Sequence, residues 1–294
     1  MDTMVRNNEL SRLALTTECC EKQLTMLTTM SDSLQMTPAA AAAKTEILQG
    51  FSKLLETGQG SDLTITCKSK TFKAHSAIIA SRSPFFAAAC WSGFKQEAET
   101  HCIDLPDDDP TAVWTMLRYL YASDYTIEPR TDFLSTLDQC PLDANNRRRT
   151  SSLHLVCNAS MYGMGEKYGI DGLKGIAAEK FAATLRQPEW HDEWTRQGSD
   201  VCVGALATAV KCVYDSTPES DRGLREQVLA YAEVYLGRLL VLEDFKVLLE
   251  EVPKFAYQLL VGEAEGRREV GMRAKKRGTA SRERTLYELL GEDE

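Results

Sequence analysis

The sequence predicts an α+β protein in which a small sheet of short strands is flanked by a cluster of helices and followed by an all-α extension. Apolar and polar residues alternate with a period of two over residues 62–75 and 101–105, as in half-buried strands. Apolar residues recur at helical spacing over residues 39–57 and 110–122. Between residues 150 and 262 the apolar patterns are helical, apart from a polar connector that precedes residue 200.

The first predicted element is a helix that follows a polar leader. Residues 1–38 are rich in Thr, Ser and Met without a clear core face, so we expect a mobile N-terminal leader there. Thr37 can cap the helix, Pro38 suits its first position and Gly58 ends it. Its apolar residues form one narrow stripe: Ile47, Phe51, Leu54 and Leu55. A helix with so narrow a stripe must pack on another surface to be stable.

Strands and short helices follow in quick succession. The stretch "SDLTITCKSKTFKAHS" predicts a hairpin with its turn at Ser69 and Lys70. Two short helices, "HSAIIASRS" and "SPFFAAACW", are separated at Pro84, because a proline disfavours helical geometry at the residue before it. "THCIDLP" predicts a third strand, and Asp109 with Pro110 begins the next helix.

The second half of the chain is predicted to be helical around a polar interruption. Residues 127–152 are polar and longer than an ordinary connection, which indicates an insertion. Two helices then follow, broken at Gly169–Gly172, and complete a domain over residues 39–187. Three further helices are predicted within residues 200–262. Residues 263–294 form a charged tail with too few apolar residues for a core.

Composition and charge exclude several classes of protein. The 294 residues are 43% hydrophobic and 26% charged, with a net charge of −9. That balance argues against general attraction to nucleic acid phosphates or to anionic membranes. No apolar run reaches the length of a membrane span. Nine cysteines at irregular spacings, without a C-x-x-C pair, predict reduced thiols and an intracellular protein.

Candidate catalytic and metal-binding residues lack the partners that such chemistry requires. His75 lies near Ser76 and Ser81, but no nucleophile elbow surrounds either serine. We therefore expect His75 to bond to the backbone at a strand–helix junction. His154 and Cys157 have H-x-x-C spacing without a further ligand pair nearby. The sequence predicts neither a cofactor nor a metal, and no enzymatic activity.

Several motifs taken together resemble the BTB/POZ domain in its filamentous-fungal form. They are "GSDLTITCKSKTFKAHSAIIASRSPFF", "IDLPDDDPTAVWTMLRYLYASDY" and the helical hairpin "YGMGEKYGIDGLKGIAAEKF". The resemblance spans roughly residues 45–187. It implies a non-enzymatic protein–protein interaction module that acts as a homodimer and adaptor. We expect the dimer interface to contain Ile47, Phe51, Leu54, Leu55, Asp62, His75 and Ile78.

The resemblance also implies larger assemblies, among them a cullin-based ubiquitin ligase to which a client protein is recruited. The surface that would face the cullin contains Phe94, Lys95, Glu97 and Tyr125. Cullin-binding adaptors of this family often carry a hydrophobic-x-Glu signature before the third strand. Here Gln96 stands at the glutamate position and Glu97 comes one residue later.

A nuclear role is the alternative that the sequence leaves open. The tail has a cluster of positive charge that is typical of nuclear-import signals: Arg273, Lys275, Lys276 and Arg277. With this signal the same dimer would act as a transcriptional or architectural regulator. The absence of interleaved aromatic residues argues against sequence-specific binding of nucleic acid. We therefore expect the protein in the cytoplasm, the nucleus or both.

Overall fold

The computed structural model of the chain describes residues 37–91, 100–127, 150–187 and 200–264. The first elements alternate helices with short strands: α1 (Pro38–Thr57), β1 (Leu63–Cys67), β2 (Lys70–Ala74), α2 (Ser76–Ala80), α3 (Pro84–Trp91), β3 (Cys102–Asp104) and α4 (Pro110–Ala122). The later elements are helices: α5 (Thr150–Tyr168), α6 (Asp171–Arg186), α7 (Asp200–Ser216), α8 (Gly223–Leu239), α9 (Glu243–Glu251) and a last helical stretch over residues 253–264. The predicted α+β class with an all-α extension is confirmed.

The chain divides between Gly50 and Phe51 into two compact units. The described residues of the first unit, from 37 to 50, are mostly exposed, and those from Pro38 on belong to α1. The Thr37 hydroxyl oxygen accepts a hydrogen bond from the Ala40 N–H at 3.2 Å, so α1 begins with the predicted cap. The second unit begins at Phe51 and contains the sheet and all the later helices of the described ranges.

The sheet has three strands in the order β2-β1-β3. β1 pairs antiparallel with β2 and parallel with β3. Alternate residues of β1 are buried: Leu63, Ile65 and Cys67. The hairpin turn lies one residue earlier than predicted, at Lys68 and Ser69, because Cys67 pairs with Lys70. Lys68 has φ 49°, the positive value that the favoured two-residue hairpin turns require.

The Ser83-Pro84-Phe85-Phe86 motif forms a corner against the end of α5. The Ser83 hydroxyl donates to the Tyr168 carbonyl oxygen at 2.6 Å and accepts from the Phe86 N–H at 3.3 Å. The Phe86 ring stacks on the Tyr168 ring with the centroids 5.5 Å apart. Gly169 follows with φ 65°, and a side chain there would approach the Pro84 ring at 3.2 Å. These residue types therefore fix where the second short helix meets the hairpin α5–α6.

Helix α5 defines the limits of the predicted insertion. It begins at Thr150, and Ser151 and Ser152 are buried, so the last residues assigned to the insertion belong to the helix. Residues 128–149 lie outside the described part of the chain. The predicted break between the two helices is observed at Gly169 and Ile170. No helix of the described ranges is long and apolar enough to cross a membrane.

The C-terminal helices share one core with the sheet and the helices that precede them. α7 packs along α5. Val203, Leu206, Val210 and Val213, which the sequence places on one helical face, are all buried. Gly163 allows the close approach, because a Cβ atom there would lie 2.5 Å from the Ser216 hydroxyl oxygen. Where the sequence left their packing open, the structure places these helices on the preceding domain.

A partly buried ion cluster ties the loop before α8 to the hairpin α5–α6. Lys174 forms ion pairs with Glu166 and, at 2.8 Å, with Asp221 Oδ2. The Tyr162 hydroxyl donates to Asp221 Oδ1 at 2.7 Å. Burial alone would lower the pKa of Lys174, but the hydrogen bonds to Asp221 and Glu166 raise it. Burial raises and these partners lower the pKa of Asp221, with a net lowering.

Replacing Lys174 with Met is expected to lower the free energy of unfolding by about 2 kcal/mol at pH 7, because it leaves two carboxylates without their cation. The favourable contribution of Asp221 is full above its ordinary pKa of 3.8 and is lost as the pH falls through its lower folded value. The destabilisation measured by urea unfolding should therefore be smaller at pH 3 than at pH 7.

The matched control is Lys246→Met, which removes an exposed ion pair with Glu243. Its effect should stay within about 0.5 kcal/mol. Equal losses of unfolding free energy in the two variants would show that the Lys174 cluster contributes no more to stability than an exposed ion pair.

Candidate functional site

His75 is held at the junction between β2 and α2 by hydrogen bonds on both ring nitrogens. Its backbone N–H donates to the Tyr121 hydroxyl oxygen at 2.8 Å, and its Nδ1 lies 2.8 Å from the same oxygen. Its Nε2 lies 2.9 Å from the Gln59 carbonyl oxygen. Because a carbonyl oxygen can only accept a hydrogen bond, Nε2 donates to Gln59.

The serines near His75 are engaged elsewhere. The Ser76 hydroxyl donates to Asp62 Oδ2 at 2.5 Å, and the Ser81 hydroxyl donates to the Ile78 carbonyl oxygen at 2.8 Å. Burial raises the pKa of Tyr121, the other partner of His75, to about 12. Ser76 and Ser81 therefore direct their hydroxyl protons to Asp62 and to the Ile78 carbonyl, and not to His75 as a serine nucleophile would.

Asp62 caps α2 from the loop before β1. Its Oδ1 accepts the Ser76 N–H at 2.7 Å, so one carboxylate binds both the backbone and the hydroxyl of the same residue. Burial works to raise the pKa of the Asp62 carboxyl, but the hydrogen bonds from Ser76 outweigh it and lower the pKa below its usual value. Asp62 remains exposed at the surface beside His75.

The apolar residues predicted for the dimer interface differ in exposure. Leu55 is buried in the core of the chain itself, with 5% of its surface exposed, and Leu54 and Ile78 pack partly against that core. Phe51 is 39% exposed and Ile47 is 57% exposed. Leu55 therefore anchors α1 within its own chain, while Ile47 and Phe51 remain available to another surface.

Tyr125, predicted to face a cullin, lies in the interior of the chain. It is 2% exposed, and its hydroxyl donates to Asn158 Oδ1 at 2.8 Å. The Lys180 ammonium lies over its ring at 4.1 Å from the centroid. Burial raises the pKa of its hydroxyl. The side chain therefore supports the fold between α4 and α5 instead of an exposed surface.

Other predicted site residues lie outside the described part of the chain. They are Phe94, Lys95 and Glu97 of the cullin-facing set and Arg273, Lys275, Lys276 and Arg277 of the import cluster. Both assignments stay predictions. Within the ranges that the structure describes, no three His, Cys, Asp or Glu side chains come together to hold a metal ion.

Two concave surfaces were not predicted from the sequence. A cleft of about 180 Å³ lies between the end of α1 and α4, with the charged residues Glu56, Arg118 and Asp124 in its lining. An apolar groove of about 480 Å³ lies among α8, α9 and residues 253–264. The lining of the cleft comes from segments that are distant in sequence, so no local sequence pattern predicts it. The groove has a local signal, because apolar residues of its lining recur at helical spacing: Ala256, Leu259, Leu260 and Ala264.

Comparison with known proteins identifies the domain to which this geometry belongs. The family model of the BTB/POZ domain matches residues 51–142. BTB/POZ and MATH domain-containing protein 6 of Arabidopsis thaliana is 26% identical over 215 residues, which cover 63% of this chain and 50% of the relative. Kelch-like protein 26 of Mus musculus is 29% identical over 96 residues, which cover 33% of this chain and 16% of the relative.

The chain thus spans half or less of the length of these relatives. They come from a plant and a mouse and do not support the filamentous-fungal type that the sequence analysis expected. The match to the family model ends at residue 142, so the predicted domain end at residue 187 stays a prediction. Residues 51–142 are thus similar to the BTB/POZ domain, and the hairpin, the two short helices, β3 and α4 within that range come in the predicted order.

Proposed function

We propose that this chain is a non-enzymatic adaptor that forms a homodimer through its BTB/POZ domain and recruits a client protein to a cullin-based ubiquitin ligase. The observation that carries the proposal is the exposed apolar face of α1. The hydrogen bonds of His75, Ser76 and Ser81 join elements of the fold to one another, which suits a binding role.

The dimer follows from how little of α1 is covered by its own chain. Of its 20 residues, all of which the structure describes, Leu55 is the buried one. Phe51 and Ile47 lie four residues apart, one turn of a helix, and leave large apolar surfaces in water. Most helical stability comes from packing of an apolar face, so this helix requires another partner. A second copy supplies it, since a two-fold interface uses the same patch twice.

The double variant Ile47→Asp, Phe51→Asp is expected to be monomeric. Each chain contributes two carboxylates, so a two-fold dimer would bury four. Burying them without partners costs far more free energy than the apolar contacts contribute. Sedimentation velocity should show half the wild-type mass at the same concentration. Far-UV circular dichroism should retain the signal of the helices after α1, because neither position is buried in the core of the single chain.

The control is Gln49→Asp, an exposed position on the opposite side of the same helix, which should sediment like wild type. A double variant with the wild-type mass would contradict the proposed dimer face. So would a wild type that sediments as a monomer.

The cullin proposal rests on the family resemblance and on the segment that precedes β3. Residues 94–97 read Phe-Lys-Gln-Glu, so the hydrophobic position of the adaptor signature is present and the glutamate is displaced by one residue. A large aromatic residue is the type that most often dominates the energy of an interface. We propose that Phe94 enters a pocket on the cullin, with Lys95 and Glu97 at the rim.

Binding to a purified cullin amino-terminal domain should weaken at least tenfold in Phe94→Ala, as expected for a central aromatic contact. Gln96→Glu restores the signature and should tighten binding by about three- to tenfold, since rim charges contribute modestly. Isothermal calorimetry measures both values.

The monomeric Ile47→Asp, Phe51→Asp variant should still bind one cullin per chain, which separates the two parts of the proposal. If wild type binds no cullin and Gln96→Glu also fails, the ligase role is excluded, whereas the dimer stands on its own measurement.

A further inference from the structure

An apolar groove runs along the last helices of the described chain, away from the elements matched by the BTB/POZ family model. It has a volume of about 480 Å³ and lies among the end of α8, α9 and residues 253–264. We call it the C-terminal groove. Its lining is apolar except for one carboxylate: Leu236, Leu240, Leu249, Ala256, Leu259, Leu260, Glu263 and Ala264.

The walls of this groove expose large apolar side chains. Leu260 is 72% exposed and Leu240 is 44% exposed, while Leu259 is buried and holds the helix in place. Tyr257 and Val261 extend the exposed surface along the last helical stretch. Contiguous exposed apolar surface of this kind marks a binding site, because removing it from water is favourable.

The chain itself continues from the end of the groove. Ala264 lines the groove and is the last described residue, and 30 residues follow it in the sequence. Within them, four of the five residues from 286 to 290 are large and apolar; we call them the tail segment: Leu286, Tyr287, Leu289 and Leu290. On a helix Leu286, Leu289 and Leu290 share one face, and Glu288 points to the other. This pattern matches an apolar groove with little charge.

The length of the connecting chain permits the contact. Residues 265–285 number 21, and an extended chain of that length reaches about 69–76 Å. The helical stretch 253–264 is only about 18 Å long. A covalently linked segment also acts at an effective concentration in the millimolar range, far above that of a second molecule in dilute solution. The tail segment is therefore the occupant that these observations favour.

We propose that the tail segment binds in the C-terminal groove of its own chain and covers Leu240 and Leu260. The interaction does not depend on the proposed dimer or on cullin binding. While it is bound, the tail segment would keep other molecules from the apolar side chains of the groove.

Hydrogen exchange of the full-length chain, followed by mass spectrometry, tests the proposal. The tail variant Leu286→Asp, Leu290→Asp should exchange the amides of residues 236–241 and 256–264 at least tenfold faster than wild type. The control Thr279→Asp, Ser281→Asp adds the same two charges within the linker and should exchange like wild type. Leu260→Asp, at an exposed position, should reproduce the faster exchange without unfolding the chain.

The combination of Leu260→Asp with the tail variant should add nothing further, because each change removes the same contact. Identical exchange in wild type and the tail variant would overturn the proposal. Protection that survives the tail variant but disappears on dilution, together with a fall in sedimenting mass, would identify a second copy as the occupant and would also overturn it.

Discussion

Helix α5 is enclosed on nearly all sides, and the remaining described helices are arranged around that burial. From Ser151 to Tyr168 almost every residue is withdrawn from water, with α4, α6 and α7 packed against it. A helix that is buried on most sides exposes few polar groups to solvent, so protein groups supply most of their hydrogen bonds. Asn158 accepts from Tyr125, and the end of α5 accepts from Ser83 through the Tyr168 carbonyl. The BTB/POZ elements and the C-terminal helices therefore meet on a shared surface and form one core.

The polar residues of the corner before α3 stabilise the fold. His75 joins the β2–α2 junction to Tyr121, Asp62 caps α2, and the Arg82 guanidinium donates to the carbonyl oxygens of Tyr119 and Leu120 at the end of α4. Each group satisfies backbone atoms that would otherwise be unpaired at an element end. A corner built in this way is rigid and positions neighbouring surfaces, which is what an interaction module requires.

Two of the exposed apolar surfaces in the described chain carry the proposals. One is α1, which keeps Leu55 for its own core and leaves Phe51 in water; the other is the C-terminal groove. The two differ in chemistry as well as position. α1 presents a single helical stripe, which suits a copy of itself, whereas the groove is concave and suits an inserted segment.

The sequence alone determined the class, the order of the elements and the BTB/POZ resemblance, because alternation, helical stripes, caps at Thr37 and breaks at Pro84 and Gly169 are local signals. It also indicated that His75 is structural. It did not distinguish Leu55 and Tyr125, which are buried, from Phe51, which is exposed, since all of them are apolar or aromatic residues at regular spacing. Only the tertiary structure decided which of these side chains are buried and that α7 packs on α5. Burial depends on contacts between residues that are distant in sequence.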